Sequence, residues 1–146
     1  LPFVHMEAPM YLKGLARKGP TFREAILMHA VARLALHPHI TNIQASWVKM
    51  GPLGVAACLT AGANDVGGTL MNETITRAAG ATHGQEMPPH AMEALIKGAG
   101  RVPQQRSTTY GPVARARTLQ SFQAAPLTMP VNTPAKKYQR TGLLTT

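Results

Sequence analysis

The sequence predicts an α/β fold in which strands and helices alternate around a parallel sheet. A strand-like run at Ile40–Val48 leads into a glycine- and proline-punctuated helical run at Pro52–Ala61, and then into a second short strand-like run at Ala63–Thr69. Strand, helix and strand in that order form a unit whose two strands lie parallel. Polar residues gather just past these runs, at Lys49 and from Thr69 to His83. The ends of strands are where such sheets place their chemistry.

A chain of 146 residues, 45% of them apolar, has room for one domain with a core, or for a piece of a larger one. That apolar fraction excludes wholesale disorder. No segment approaches the roughly 20 apolar residues that span a bilayer, so no membrane partner is expected. The opening LPFVHMEAPMYLKG lacks the basic start and apolar run of a signal peptide. It starts in mid-pattern without Met, as expected of a piece cut from something longer. The single cysteine, Cys58, excludes an internal disulfide and a multi-cysteine metal or iron–sulfur site built by this chain alone. A reducing, cytoplasmic setting is the expectation.

The net charge of +9 raises the question of nucleic acid, and its distribution answers it. Ten Lys and Arg stand against six acids over Leu1–Val113, and five against none over Ala114–Thr146. With the excess concentrated in the tail, 5% aromatics and no recognisable binding module, no nucleic-acid partner is expected.

Taken in order, Leu1–Gly19 reads as a long loop entered from a strand at Phe3-Val4, with His5 and Glu7 just beyond it, either as solvated side chains or as site residues. Thr21-Phe22-Arg23-Glu24 is a capping box, so a helix is expected from Thr21 to about Leu36, burying Phe22, Ile26, Leu27, Ala30, Val31 and Leu34. His37-Pro38 ends it. His29, His37 and His39 suggest no metal site, since no carboxylate or cysteine stands at ligand spacing. In the strand Ile40–Val48, Ile43, Ala45 and Trp47 share one face and Asn42, Gln44 and Ser46 the other, with Lys49 and Met50 at its C-terminal end. A polar row inside a fold needs hydrogen-bond partners or a substrate.

Pro52 suits the first turn of the next helix, Gly62 its stop, and Cys58 in its middle reads as a small core residue. The strand Ala63–Thr69 ends in Gly67-Gly68, which allows close approach of a backbone or ligand; the spacing is neither GxGxxG nor a P-loop. Asn72, Glu73, Thr74, Arg77, Thr82 and His83 follow on a polar turn that reads as a site. Pro88-Pro89 opens a third helix running to Gly98, with Gly100 as its stop. Arg101–Gly111 is extended and polar, with Arg106 and Tyr110 its notable side chains. From Ala114 the Pro-, Thr- and Gln-rich, acid-free stretch reads as a basic, flexible tail over 114–146.

The phrases PFVHMEAPMYLKG, GPTFREAILMHAVARLALHPHI, NIQASWVKMGP, AGANDVGGTLMNETITRAAGATHGQEMPP and ALIKGAGRVPQQR carry a resemblance over 113 of the 146 residues. Leu1–Val113 resembles the C-terminal part of the CofH-type radical S-adenosylmethionine (radical SAM) subunit of FO synthase. The futalosine enzymes of menaquinone synthesis are similar in this region, and HMEAP and THGQEMPP favour FO synthase. The resemblance implies a TIM-type (β/α) radical SAM barrel, with residues 1–113 as its last strands and helices, incomplete in this chain.

It also implies an activity. A 4Fe-4S cluster cleaves S-adenosylmethionine, the resulting radical activates tyrosine, and the tyrosine-derived fragment joins 5-amino-6-ribitylaminouracil on the way to the deazaflavin FO of coenzyme F420. The implied partners are these small molecules, the missing N-terminal barrel half, and a CofG-like enzyme or fused domain. The family's cluster-binding CxxxCxxC loop is absent here, and the helical position of Cys58 does not match it. The cluster and S-adenosylmethionine are therefore expected in the complete enzyme and not on this chain alone. The barrel would bring Gln44, Ser46, Lys49, Thr69, Asn72 and Glu73, with His5, Glu7 and His83, towards its mouth for hydrogen bonds to substrate or S-adenosylmethionine. No catalytic residue is assigned. A non-catalytic truncated remnant is the other expectation.

Overall fold

Residues 13–15, 19–69, 73 and 84–126 are described by a computed structural model. Within them the chain runs through α1 (Phe22–Leu36), β1 (Gln44–Ala45), α2 (Trp47–Thr60), β2 (Asp65–Val66), α3 (Pro89–Gly98) and α4 (Arg115–Gln123). The two strands pair in parallel, Gln44 opposite Asp65 and Ala45 opposite Val66, with α2 as the crossover between them. This is the α/β arrangement expected of the sequence. The strand and loop expected over residues 1–12 and 16–18, the polar turn over 70–83 other than Glu73, and the tail beyond residue 126 lie outside the described residues.

The capping box at the start of α1 is formed. The Glu24 N–H donates to Thr21 Oγ1 at 3.2 Å, and the Thr21 N–H donates to the Glu24 carboxylate at 2.7 Å. The buried face of α1 differs from the expected stripe. Ala25 and His29 are buried, with Ile26 partly buried against the core, whereas Leu27, Val31 and Leu34 are exposed. The reason is apolar excess: residues 25–32 read AILMHAVA, so apolar spacing runs around the whole helix and cannot choose a face. His29 is tolerated inside because its Nδ1 donates to the Ala25 carbonyl at 2.7 Å.

β1 is much shorter than the expected Ile40–Val48. The Ser46 carbonyl accepts from the Lys49 and Met50 N–H groups at 3.1 and 2.9 Å, so the chain turns into α2 immediately after Ala45. Trp47 and Val48, strand formers by preference, are instead in the first turn of α2, where Trp47 is almost fully buried and its Nε1 donates to the Gly68 carbonyl at 2.9 Å. Tertiary packing overrides local preference here. Gly51, at φ 67°, breaks the helix between this first turn and Pro52, so Pro52 does begin a regular helical segment.

The core gathers Ala25, Ala45, Trp47, Val48, Met50, Val55, Cys58, Leu59, Ala63 and Met87, with α3 lying against it through Ala91, Met92, Leu95 and Ile96. Arg33 ties α1 to the loops that enter both strands: Nε donates to the Gly62 carbonyl at 2.8 Å, Nη1 to the Thr41 carbonyl at 2.9 Å, and Nη2 to Asn64 Oδ1 at 2.6 Å. Asn64 Oδ1 also accepts from the Ile43 N–H at 2.9 Å. One guanidinium thus fixes where both strands start. Past Val113, residues Arg115–Gln123 form a helix where the composition suggested a tail without structure.

Candidate functional site

Strand periodicity decides which side chains share a face. Ala45 is fully buried against the helices, so its neighbour Gln44 turns the other way, and the parallel register sets Asp65 beside Gln44. Gln44 Nε2 donates to Asp65 Oδ2 at 2.8 Å. Arg106 then closes on the same carboxylate as a fork, Nε to Oδ1 at 2.7 Å and Nη2 to Oδ2 at 2.6 Å. Such bidentate pairs combine charge with fixed direction. The Tyr110 ring lies under the guanidinium, 4.2 Å from its centroid to Cζ, and its hydroxyl donates to Asp65 Oδ2 at 3.4 Å.

The loop 106–112 is shaped to hold this geometry. Arg106 and Pro112 form an antiparallel bridge, the Gly111 N–H donates to Ser107 Oγ at 2.9 Å, and Tyr110 takes a left-handed backbone at φ 62°. A non-glycine residue in that region carries strain of order 1 kcal/mol. Stacking on Arg106 is the contact that offsets it. Burial pushes the Asp65 carboxyl up, yet the hydrogen bonds from Arg106 and Gln44, the Arg106 charge and the Val66 backbone outweigh that and hold it below the usual carboxylate range. Its side chain is only 10% exposed, so the ionised form is both shielded and oriented.

A cleft of about 910 Å³ opens beside this cluster. Its apolar wall comes from Leu59, Met92, Ile96 and Val102, and its polar groups from Asn64, Asp65, Thr69, Gln104, Gln105 and Thr108. An apolar wall with a few convergent polar groups is the general make-up of a small-molecule site.

The expected site residues divide into four sets. Gln44 and Thr69 are at this place, Gln44 through its bond to Asp65 and Thr69 on the cleft wall. Ser46 occupies the N-cap position of α2 without a side-chain capping bond, and Lys49 is half-buried in that helix's first turn; neither lines the cleft. Glu73 is half-buried and donates its N–H to the Gln85 carbonyl at 3.0 Å. His5, Glu7, Asn72 and His83 lie outside the described residues. Asp65 was missed because its partners, Gln44 and Arg106, lie 21 and 41 residues away along the chain. Arg106 and Tyr110 stood out in the sequence without a role.

Residues 1–119 match the family described as CofH/MqnC C-terminal region. The chain belongs to this family. It is 53% identical over 117 residues to the FO synthase of Streptomyces coelicolor, covering 80% of this chain and 14% of that protein. It is 49% identical over 114 residues to the FO synthase of Mycobacterium tuberculosis strain H37Rv, covering 78% of this chain and 13% of that protein. Over 113 residues it is 52% identical to a Methanopyrus kandleri protein named 5-amino-6-(D-ribitylamino)uracil–L-tyrosine 4-hydroxyphenyl transferase, covering 77% of this chain and 31% of that protein. The chain therefore spans about one-seventh of the FO synthases it matches, and under a third of the transferase. No solved structure matches it.

The residues described in this family member do not fit an iron–sulfur cluster. Among them no group of three or more His, Cys, Asp or Glu could hold a metal ion. Cys58 is fully buried in α2, and burial pushes its thiol up to about 11. A thiol kept protonated is a poor ligand. No described helix is long and apolar enough to cross a membrane.

Proposed function

We propose that this chain supplies the closing strands and helices of a TIM-type radical SAM barrel in a CofH-type FO synthase, which joins a tyrosine-derived fragment to 5-amino-6-ribitylaminouracil. Family membership and the FO synthase names of its relatives support the reading. The observation that carries the site is the Gln44–Asp65 pair, locked by Arg106 beside a cleft that residues of α2, α3 and α4 also line.

The chain's own residues would bind and orient. Asp65, kept ionised, fixes the Gln44 amide, while Thr69, Gln104 and Gln105 offer hydrogen bonds to uracil, ribityl or tyrosine groups along the wall of Met92 and Ile96. Ser46, Lys49, Glu73 and the residues His5, Glu7, Asn72 and His83 stay within the proposal as further contacts to substrate or S-adenosylmethionine. The 4Fe-4S cluster and S-adenosylmethionine belong to the part of the enzyme outside this chain, as does the CofG-like partner or domain, and the setting is cytoplasmic. The barrel part would comprise residues 1–113 and the tail residues 114–146, with α4 just past the boundary.

The test is to join the upstream part of the Methanopyrus kandleri transferase to the full chain and assay for the tyrosine–uracil adduct. Adduct formation that falls at least tenfold in Asp65→Asn is expected. A folded, cluster-loaded protein without adduct would sink the reading. The family description also names MqnC, so the same protein should be offered the futalosine-pathway substrate; turnover of that alone would select the menaquinone reading.

A further inference from the structure

The middle of helix α1, residues 25–32, is apolar around its circumference between Arg23, Glu24 and Arg33, and this structure covers one side of it. Ala25 and His29 face the core, and Arg33 reaches the strand loops. On the other side Leu27 and Met28 are each 50% exposed, Val31 59% and Leu34 81%. Leu27, Val31 and Leu34 stand at i, i+4 and i+7, which is the spacing of a helix–helix seam. No Asp, Glu, Lys or Arg occurs between Ala25 and Ala32 to keep the stripe in water. A helix that is apolar all round is one that is buried all round in the finished protein.

Two facts choose the occupant. The matched region is the C-terminal region of its family, and this chain spans 31% of the Methanopyrus kandleri transferase, so most of that protein precedes it. A parallel sheet also needs helices and neighbouring strands beyond the β1–β2 pair. We infer that the Leu27–Met28–Val31–Leu34 stripe is the seam against which the preceding part of the enzyme packs, through an aliphatic face of a helix. The inference rests on the proposed function, since it takes that upstream part as the partner.

The test uses the same fusion of the upstream part to the full chain, and follows its thermal unfolding and its mass in solution. Val31→Glu and Leu34→Glu are compared with Leu53→Glu, which is 85% exposed on α2 and outside the stripe. If the seam is covered, the two stripe variants lower the midpoint by about 5 °C or more while Leu53→Glu leaves it within about 1 °C. A wild-type fusion that unfolds in one transition, with all three variants alike, overturns the seam and leaves the proposed function standing. A wild-type fusion that unfolds in two independent transitions overturns the proposed function and the seam with it. A dimeric fusion that Leu34→Glu turns into a monomer overturns the seam in favour of a second copy as occupant.

Discussion

Asp65 and Arg106 show how two side chains 41 residues apart define one place. Both are largely shielded, with side chains 10% and 28% exposed, so removing one leaves the other charge without its partner. Arg106→Ala should lower unfolding free energy by about 3 kcal/mol in urea melts. Arg106→Lys should recover a minor part, because an ammonium cannot reproduce the fork. The pH dependence follows from the lowered Asp65 carboxyl. Its stabilising contribution is fully present above the unfolded value of about 4 and is lost as pH falls through the lower folded value. The wild type should thus lose stability below about pH 4 more steeply than Asp65→Asn, as urea midpoints across that range would show. Arg106 is raised by Asp65 and stays charged throughout, so it adds no slope there. Burial of Cys58, whose thiol is pushed up to about 11, predicts very slow alkylation at pH 8 in the native protein and rapid alkylation in urea.

Helix α1 and the loop before β2 carry the most informative tests among the elements. Thr21→Ala removes the hydroxyl that accepts the Glu24 N–H, and should cost about 1 kcal/mol. Gly62 sits at φ 114° with Arg33 Cγ 2.9 Å from where a Cβ would be. Gly62→Ala therefore meets strain in the backbone and a clash with the guanidinium stem at once, and should cost about 1–3 kcal/mol. Its effect should shrink in an Arg33→Ala background, since the clash is then gone; a full double-mutant cycle measures that coupling. In α1, sequence patterning found the bounds of the helix and not its buried face. Its caps were legible because Thr21, Glu24 and His37-Pro38 act through neighbours in the chain, whereas its buried face depended on what packs beside it.

At the scale of the whole molecule, the described residues form a pair of parallel strands joined by α2, with a cleft beside a locked carboxylate. A buried Trp47 joins α2 to the loop after β2 through its bond to the Gly68 carbonyl, so it connects the core to the cleft wall. Trp47→Ala should destabilise by about 3–5 kcal/mol, and loosen Gly67–Thr69 as seen by hydrogen exchange. The exposed apolar residues of α1 are the face on which the proposed seam would lie, and this chain spans 14% and 31% of the length of two relatives it matches.

Residue order alone determined what depends on near neighbours: the capping box, the proline-opened α2 segment and α3, the glycine stop at Gly62, and the βαβ alternation that makes the strands parallel. The family phrases likewise belong to the sequence and led to the family that residues 1–119 match. Only the tertiary structure decided that β1 ends at Ala45, because burying Trp47 against Gly68 outweighs its strand preference. Only it decided which face of α1 is inside, and that Asp65, Arg106, Tyr110 and Gln44 form one cluster. Those contacts join residues up to 66 positions apart, Gln44 to Tyr110 through Asp65. Local propensity carries no information at that range, because the energy of such contacts exists only once packing has excluded water from between them.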